Sequence, residues 1–211
     1  MINLEIVILV LAGVAGFYIP LLGKALLTYR QIPLPNVPTT SPWYALFAMI
    51  GIGLVFSQEY MGLKFTQAAF FYLLLLLISW MDAHTGYILD QLTCGGAFVL
   101  LLFQCFIEFQ IIPIRLLVAM ICYGLLYLVV RQGKLGLGDV KLLAMCALVL
   151  EWTNLMFAIW IASISGLLFV FWRGKNYQVA FPFGPHVSFG VFFSYLFGDA
   201  VLSTLLTHIL Y

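Results

Sequence analysis

Two aspartates carry the chemistry this sequence can support. Asp139 closes the stretch Gly136-Leu137-Gly138-Asp139 and runs straight into the apolar segment Val140 to Leu150. Asp82 ends another apolar segment, in a chain with only eight Asp and Glu residues. An ionisable group at membrane depth costs roughly 2.5 kcal/mol or more, which makes it a functional-site hypothesis by default. Two carboxyl groups that share a proton can divide the work of hydrolysis, one acting as base toward water and the other as acid. They then titrate as a coupled pair. The glycines around Leu137 remove side-chain bulk, so an extended peptide backbone can approach Asp139. A helix starting at that point favours the Asp139 anion. The residues alone also allow a plainer reading, with Asp139 as a helix cap and Asp82 as an interfacial anchor.

Such carboxylates have to be positioned by membrane helices. Hydrophobic residues make up 64% of the chain and charged residues 8%, against about 25% charged in an average soluble domain. The composition predicts an all-α, polytopic integral membrane protein, because an open sheet cannot satisfy its backbone in lipid. Eight apolar segments are legible, at about 4–23, 43–57, 65–81, 91–107, 111–130, 140–150, 153–172 and 185–206. They predict about eight transmembrane helices, of which the second and sixth are short, and leave no room for a soluble domain. Pro33, Pro35, Pro38 and Pro42 break the first long loop, and Pro182, Gly184 and Pro185 precede the last helix. The first residues carry Glu5 and no Lys or Arg, so the first apolar run reads as a retained helix rather than a cleaved signal. Cys94, Cys105, Cys122 and Cys146 fall inside apolar runs with no C-x-x-C pair and read as small hydrophobes.

Loop charges give an orientation. Lys24, Arg30, Arg131, Lys134, Lys141, Arg173 and Lys175 fall in one set of loops, and Lys64 and Arg115 in the other. The positive-inside rule places the first set in the cytoplasm and both termini outside. Asp82 and Asp90 then follow the third helix on the cytoplasmic side, and Asp139 enters the sixth from the same side. The net charge of +1 identifies no partner, since the charges are sorted by membrane side.

The segment from Trp80 through Asp82, His84, Gly86, Leu89 and Asp90 to Thr93 resembles the first aspartate segment of the type IV prepilin peptidases. Lys134-Leu135-Gly136-Leu137-Gly138-Asp139-Val140-Lys141-Leu142 is similar to that family's second segment, a G-x-G-D motif running into a Val-Lys-Leu helix. Phe181-Pro182-Phe183-Gly184-Pro185 resembles the turn before the family's last helix. The likeness covers roughly residues 65–206 and suggests N-terminal helices with a shortened loop over 1–64 and a peptidase core over 65–211. It implies a G-x-G-D membrane aspartic endopeptidase of the bacterial inner membrane. Such an enzyme cuts the short basic leader from prepilin or pseudopilin precursors, for pilus assembly or type II secretion. By motif position the resemblance makes Asp82 and Asp139 the catalytic pair, with Gly136, Gly138 and Asp90 shaping the site or meeting substrate. Asp90 also reads as the N-cap of the fourth span, and Lys134 and Lys141 as headgroup anchors.

Full-length bacterial members of the family resemble a fusion with a cytoplasmic loop of two Cys-x-x-Cys pairs, linked with zinc binding and with methylation of the new pilin N-terminus. The corresponding loop here, about Lys24 to Pro42, has no cysteine. No metal is therefore expected, neither zinc nor S-adenosylmethionine is expected as a cofactor, and N-methylation is expected to be lost. Leu89 also stands where the family often has proline. His84 and His186 read as residues of the cytoplasmic surface, and His208 carries no signal. The expected partners are a precursor peptide and membrane lipid, with no nucleic acid. Two other functions stay open: an ion- or proton-coupled transporter using the aspartate pair, and a non-catalytic relative that binds a leader without cutting it. The repeated halves expected of many transporters are not visible. Presenilin-like proteases share the G-x-G-D element, but Met81 rather than Tyr precedes Asp82.

Overall fold

A computed structural model describes residues 4–33, 36–59, 62–133, 135–173 and 181–210. Pro35, Lys134 and Lys175 lie outside the described residues, as does the side chain of His208. The described residues are helical with no strand, which makes the chain a polytopic all-α membrane protein. Packing divides it into two compact units, Met1–Ile88 and Leu89–Tyr211. That division falls inside the segment expected to form the core, 65–211.

The first unit holds α1 (Leu4–Phe17), α2 (Ile19–Tyr29), α3 (Pro42–Gln58) and α4 (Leu63–Thr85). The first two run on as one apolar stretch of 26 residues, Leu4–Tyr29. They break at Tyr18 because Pro20 has no N–H to give and its ring crowds the preceding turn. Packing of α3 on α1 and on α4 relies on small residues. A Cβ on Gly16 would stand 2.3 Å from the Tyr44 carbonyl oxygen, and one on Gly51 2.1 Å from the Tyr72 ring. The Tyr72 hydroxyl donates to the Phe47 carbonyl at 2.7 Å, so the buried phenol has its partner. Lys24 Nζ donates to the Val37 carbonyl and ties the first long loop to α2.

The second unit holds α5 (Asp90–Ile107), a short 3-10 turn (Phe109–Ile111), α6 (Ile112–Arg131), α7 (Leu137–Cys146), α8 (Trp152–Arg173) and α9 (Gly184–Leu210). Six stretches of the described chain are long and apolar enough to cross a membrane, and Pro42–Gln58 is a shorter apolar helix. The expected count of eight is corrected at the sixth segment. Residues 140–150 do not form a span, because α7 has only ten residues and ends at Cys146. At ~1.5 Å per residue it is about 15 Å long, half of the ~30 Å hydrocarbon core. Its Val140, Leu142, Leu143, Met145 and Cys146 are all buried, as are Ala147 to Leu150 beyond it. A short helix whose apolar side chains from Val140 onward are mostly buried belongs in a core, and α7 packs against α5, α6 and α9. Arg115 donates to the Val149 carbonyl and supplies a partner for the backbone where α7 has ended.

Candidate active site

In the first unit, Asp82 sits inside the last turn of α4, three residues before the helix ends at Thr85. The expectation that it lies in the following loop is corrected. Its residue is 5% exposed, the lowest value for an acidic residue among those described. Two supports hold that turn. The first is Trp80, 1% exposed, whose ring lies against α2 where Gly23 leaves a notch. A Cβ on Gly23 would stand 2.3 Å from Trp80 Cζ3. The second is the helix end. Gly86 adopts φ 68°, and its N–H donates to the Asp82 carbonyl at 2.9 Å. Only glycine takes that left-handed conformation without cost. Thr85 Oγ1 donates to the Met81 carbonyl at 2.7 Å and accepts from the Tyr87 N–H at 3.2 Å. His84 is also helical, not a loop residue; its Nδ1 lies 2.7 Å from the Trp80 carbonyl oxygen and its ring packs on Trp80.

In the second unit, Asp139 is the third residue of α7, and Gly136 occupies the N-cap position. Asp139 is half-buried, and its carboxylate folds back over the helix start. Its Oδ2 lies 3.0 Å from where a Cβ on Gly136 would be. The first glycine of the motif thus gives the Asp139 carboxylate its space. Gly138 lies within the first turn of α7 and is half-buried.

Asp90 corrects a further expectation. Leu89 occupies the cap of α5, and Asp90 is the first residue inside that helix. Its Oδ1 pairs with Lys141 Nζ at 2.7 Å, which joins the first turn of α5 to the second turn of α7. Lys141 was expected at the lipid headgroups. Its partner is instead a carboxylate, and nothing in the spacing of the two motifs fixes that pairing. His186 is half-buried rather than turned to the surface. Its Nδ1 lies 3.1 Å from Ser165 Oγ, and its ring stacks on Phe181 at 5.1 Å between centroids. Of the free cysteines, Cys94 and Cys105 are exposed, and Cys122 and Cys146 are buried.

The fold and these carboxylates define a class: a multi-pass helical membrane protein with acidic groups set at helix ends. Residues 69–171 match the model of the type IV leader peptidase family, which supports a peptidase of that type. The family is one of peptidases acting on precursor peptides. The matched segment contains Asp82, Asp90, Gly136, Gly138 and Asp139 and stops short of the Pro-Phe-Gly-Pro turn. No curated protein and no solved structure shows significant similarity to the chain.

Proposed function

We infer that the chain is a membrane aspartic endopeptidase with Asp82 and Asp139 as its catalytic pair. Its substrates are type IV prepilin or pseudopilin precursors, cut behind a short basic leader at the cytoplasmic face of the bacterial inner membrane. The observation that carries this reading is the family match, whose span includes both aspartates. The residue environments support it. Asp139 stands in the first turn of a helix, where the dipole favours an anion, so it is assigned the base. Asp82 is then the acid. Asp139 takes a proton from water as the water oxygen bonds to the scissile carbonyl carbon, and Asp82 gives its proton to the carbonyl oxygen. Collapse of the tetrahedral diol breaks the C–N bond as a diol hydroxyl returns its proton to Asp82, and the proton held on Asp139 passes to the departing amine. The cysteine-free loop supports cutting without zinc or S-adenosylmethionine, and hence a free, unmethylated new N-terminus.

The test is co-expression with a prepilin, followed by N-terminal sequencing and mass measurement of the product. Asp82→Asn and Asp139→Asn should each lower cleavage by at least about a thousandfold, or ~4 kcal/mol of barrier, while the protein still reaches the membrane. Retained cleavage in both variants rejects the pair. A methylated product rejects the loss of methylation.

A further inference from the structure

We propose that the second unit carries a binding groove for one phospholipid with a phosphate and a primary ammonium in its headgroup, of the phosphatidylethanolamine class. The groove goes beyond the peptidase reading and lies on a different face of α7 from Asp139. Both α5 and α6 pack on α7 but barely on each other, which leaves an open cleft with α7 as its floor. Its volume is about 600 Å³, within the ~300–1,000 Å³ of small-molecule sites. The small side chains Cys94, Ala97, Ala119 and Ala144 keep it open, and Leu101 and Leu148 close its far end.

Its dimensions suit one acyl chain. Along α5 the lining runs from Thr93 to Leu101, about 12 Å at ~1.5 Å per residue. One leaflet of hydrocarbon is about 15 Å deep. The end near Thr93 is marked as interfacial by Lys141 and Asp90, and by Tyr123, stacked on Tyr127 at 6.0 Å between centroids.

The polar end selects the headgroup. Lys141 Nζ is 2.7 Å from Asp90 Oδ1, so the mouth presents a cation and an anion side by side. The Asp90 side chain is 61% exposed and can accept a further hydrogen bond. A headgroup with phosphate and primary ammonium complements both charges. A purely anionic headgroup meets Lys141 but is repelled by Asp90, and a quaternary ammonium cannot donate to it. A substrate's apolar segment is the other conceivable occupant, and geometry disfavours it. Lys141 follows Asp139 by two residues, which turns it ~200° around the helix, away from the catalytic face. Ala144, Met145 and Leu148 continue that opposite face.

The test is native mass spectrometry of the full chain released from vesicles of equal parts phosphatidylethanolamine and phosphatidylglycerol. One retained phosphatidylethanolamine, at least fivefold over phosphatidylglycerol, is expected. Ala119→Trp, which fills the groove, should lose the adduct with helical content unchanged. Asp90→Asn leaves Lys141 without its carboxylate and should turn the preference toward phosphatidylglycerol. Equal retention of the two lipids by the unaltered chain, or an unchanged preference in Asp90→Asn, overturns the proposal. So does an adduct that survives Ala119→Trp, or displacement of the lipid by a precursor's apolar segment.

Discussion

Asp139 Oδ2 lies 3.0 Å from the place a Cβ would occupy on Gly136. Gly136 has φ −74° and ψ 141°, open to any residue, so its role is steric rather than conformational. Gly136→Ala therefore shifts the carboxylate by a few tenths of an ångström without straining the backbone. A misplacement of ~1 Å can cost about a hundredfold in rate, so a three- to tenfold fall in kcat for leader cleavage is expected. KM and the unfolding temperature should hardly change. Equal losses in kcat and thermal stability would show that Gly136 serves the fold instead.

Trp80 and Gly23 form a similar couple in the first unit, two residues before Asp82. A Cβ on Gly23 would overlap Trp80 Cζ3 at 2.3 Å. Overpacking of this kind costs about 1–3 kcal/mol. Gly23→Ala should lower the unfolding temperature in detergent and reduce cleavage together. Trp80→Phe on that background should recover part of both, because it removes the ring atoms that clash. Failure of the second change to recover either quantity means that the helices separate rather than compress.

Gly86 tests the end of α4 by conformation alone. Its φ is 68°, and a Cβ there would meet nothing within 4 Å. Gly86→Ala thus adds only the left-handed penalty, about 1–2 kcal/mol. The last turn, with Asp82, His84 and Thr85, should fray first. Amide exchange over 82–86 is expected to rise roughly fivefold or more, with α1 unaffected. Uniform exchange across α4 would place the loss elsewhere.

The helical membrane class was legible because 64% hydrophobic composition and Pro-rich breaks leave few alternatives. The family was legible because Asp82, Asp90 and the Gly136–Asp139 motif occur in order with their flanking residues. Composition misjudged α7: an apolar run of this length looks the same whether lipid or protein surrounds it. Only the packing of α5, α6 and α9 around it shows that it is interior. Polar residues after Met81 suggest a loop, yet α4 runs on to Thr85, and Gly86 carries the stop signal. Asp90 and Lys141 lie 51 positions apart in sequence, and neither propensity nor spacing predicts that long-range pair.

The α8–α9 pairing separates close packing from polar attraction within a membrane. On α9, Gly190, Ser194 and Gly198 recur every fourth residue, as do Asn154, Ala158 and Ala162 on α8. A Cβ on Gly190 would stand 2.4 Å from the Ala158 carbonyl oxygen, and backbone cannot move aside cheaply. At the other end, Asn154 Nδ2 donates to Asp199 Oδ1 at 2.8 Å, and Ser194 Oγ donates to the Asn154 carbonyl at 2.6 Å. Asn154 Oδ1 is buried and finds no hydrogen-bond partner among the described residues. Truncation therefore loses one hydrogen bond but also removes an unsatisfied acceptor. Interhelical hydrogen bonds in membranes average only ~0.6 kcal/mol, whereas small residues govern how closely helices approach. Asn154→Ala should change stability by no more than about 1 kcal/mol. Gly190→Val should cost about 3 kcal/mol, the upper end of overpacking. Reversible unfolding in mixed micelles, followed by circular dichroism, measures both. If Asn154→Ala proves as damaging as Gly190→Val, the polar contacts hold the pair and the small-residue face is incidental.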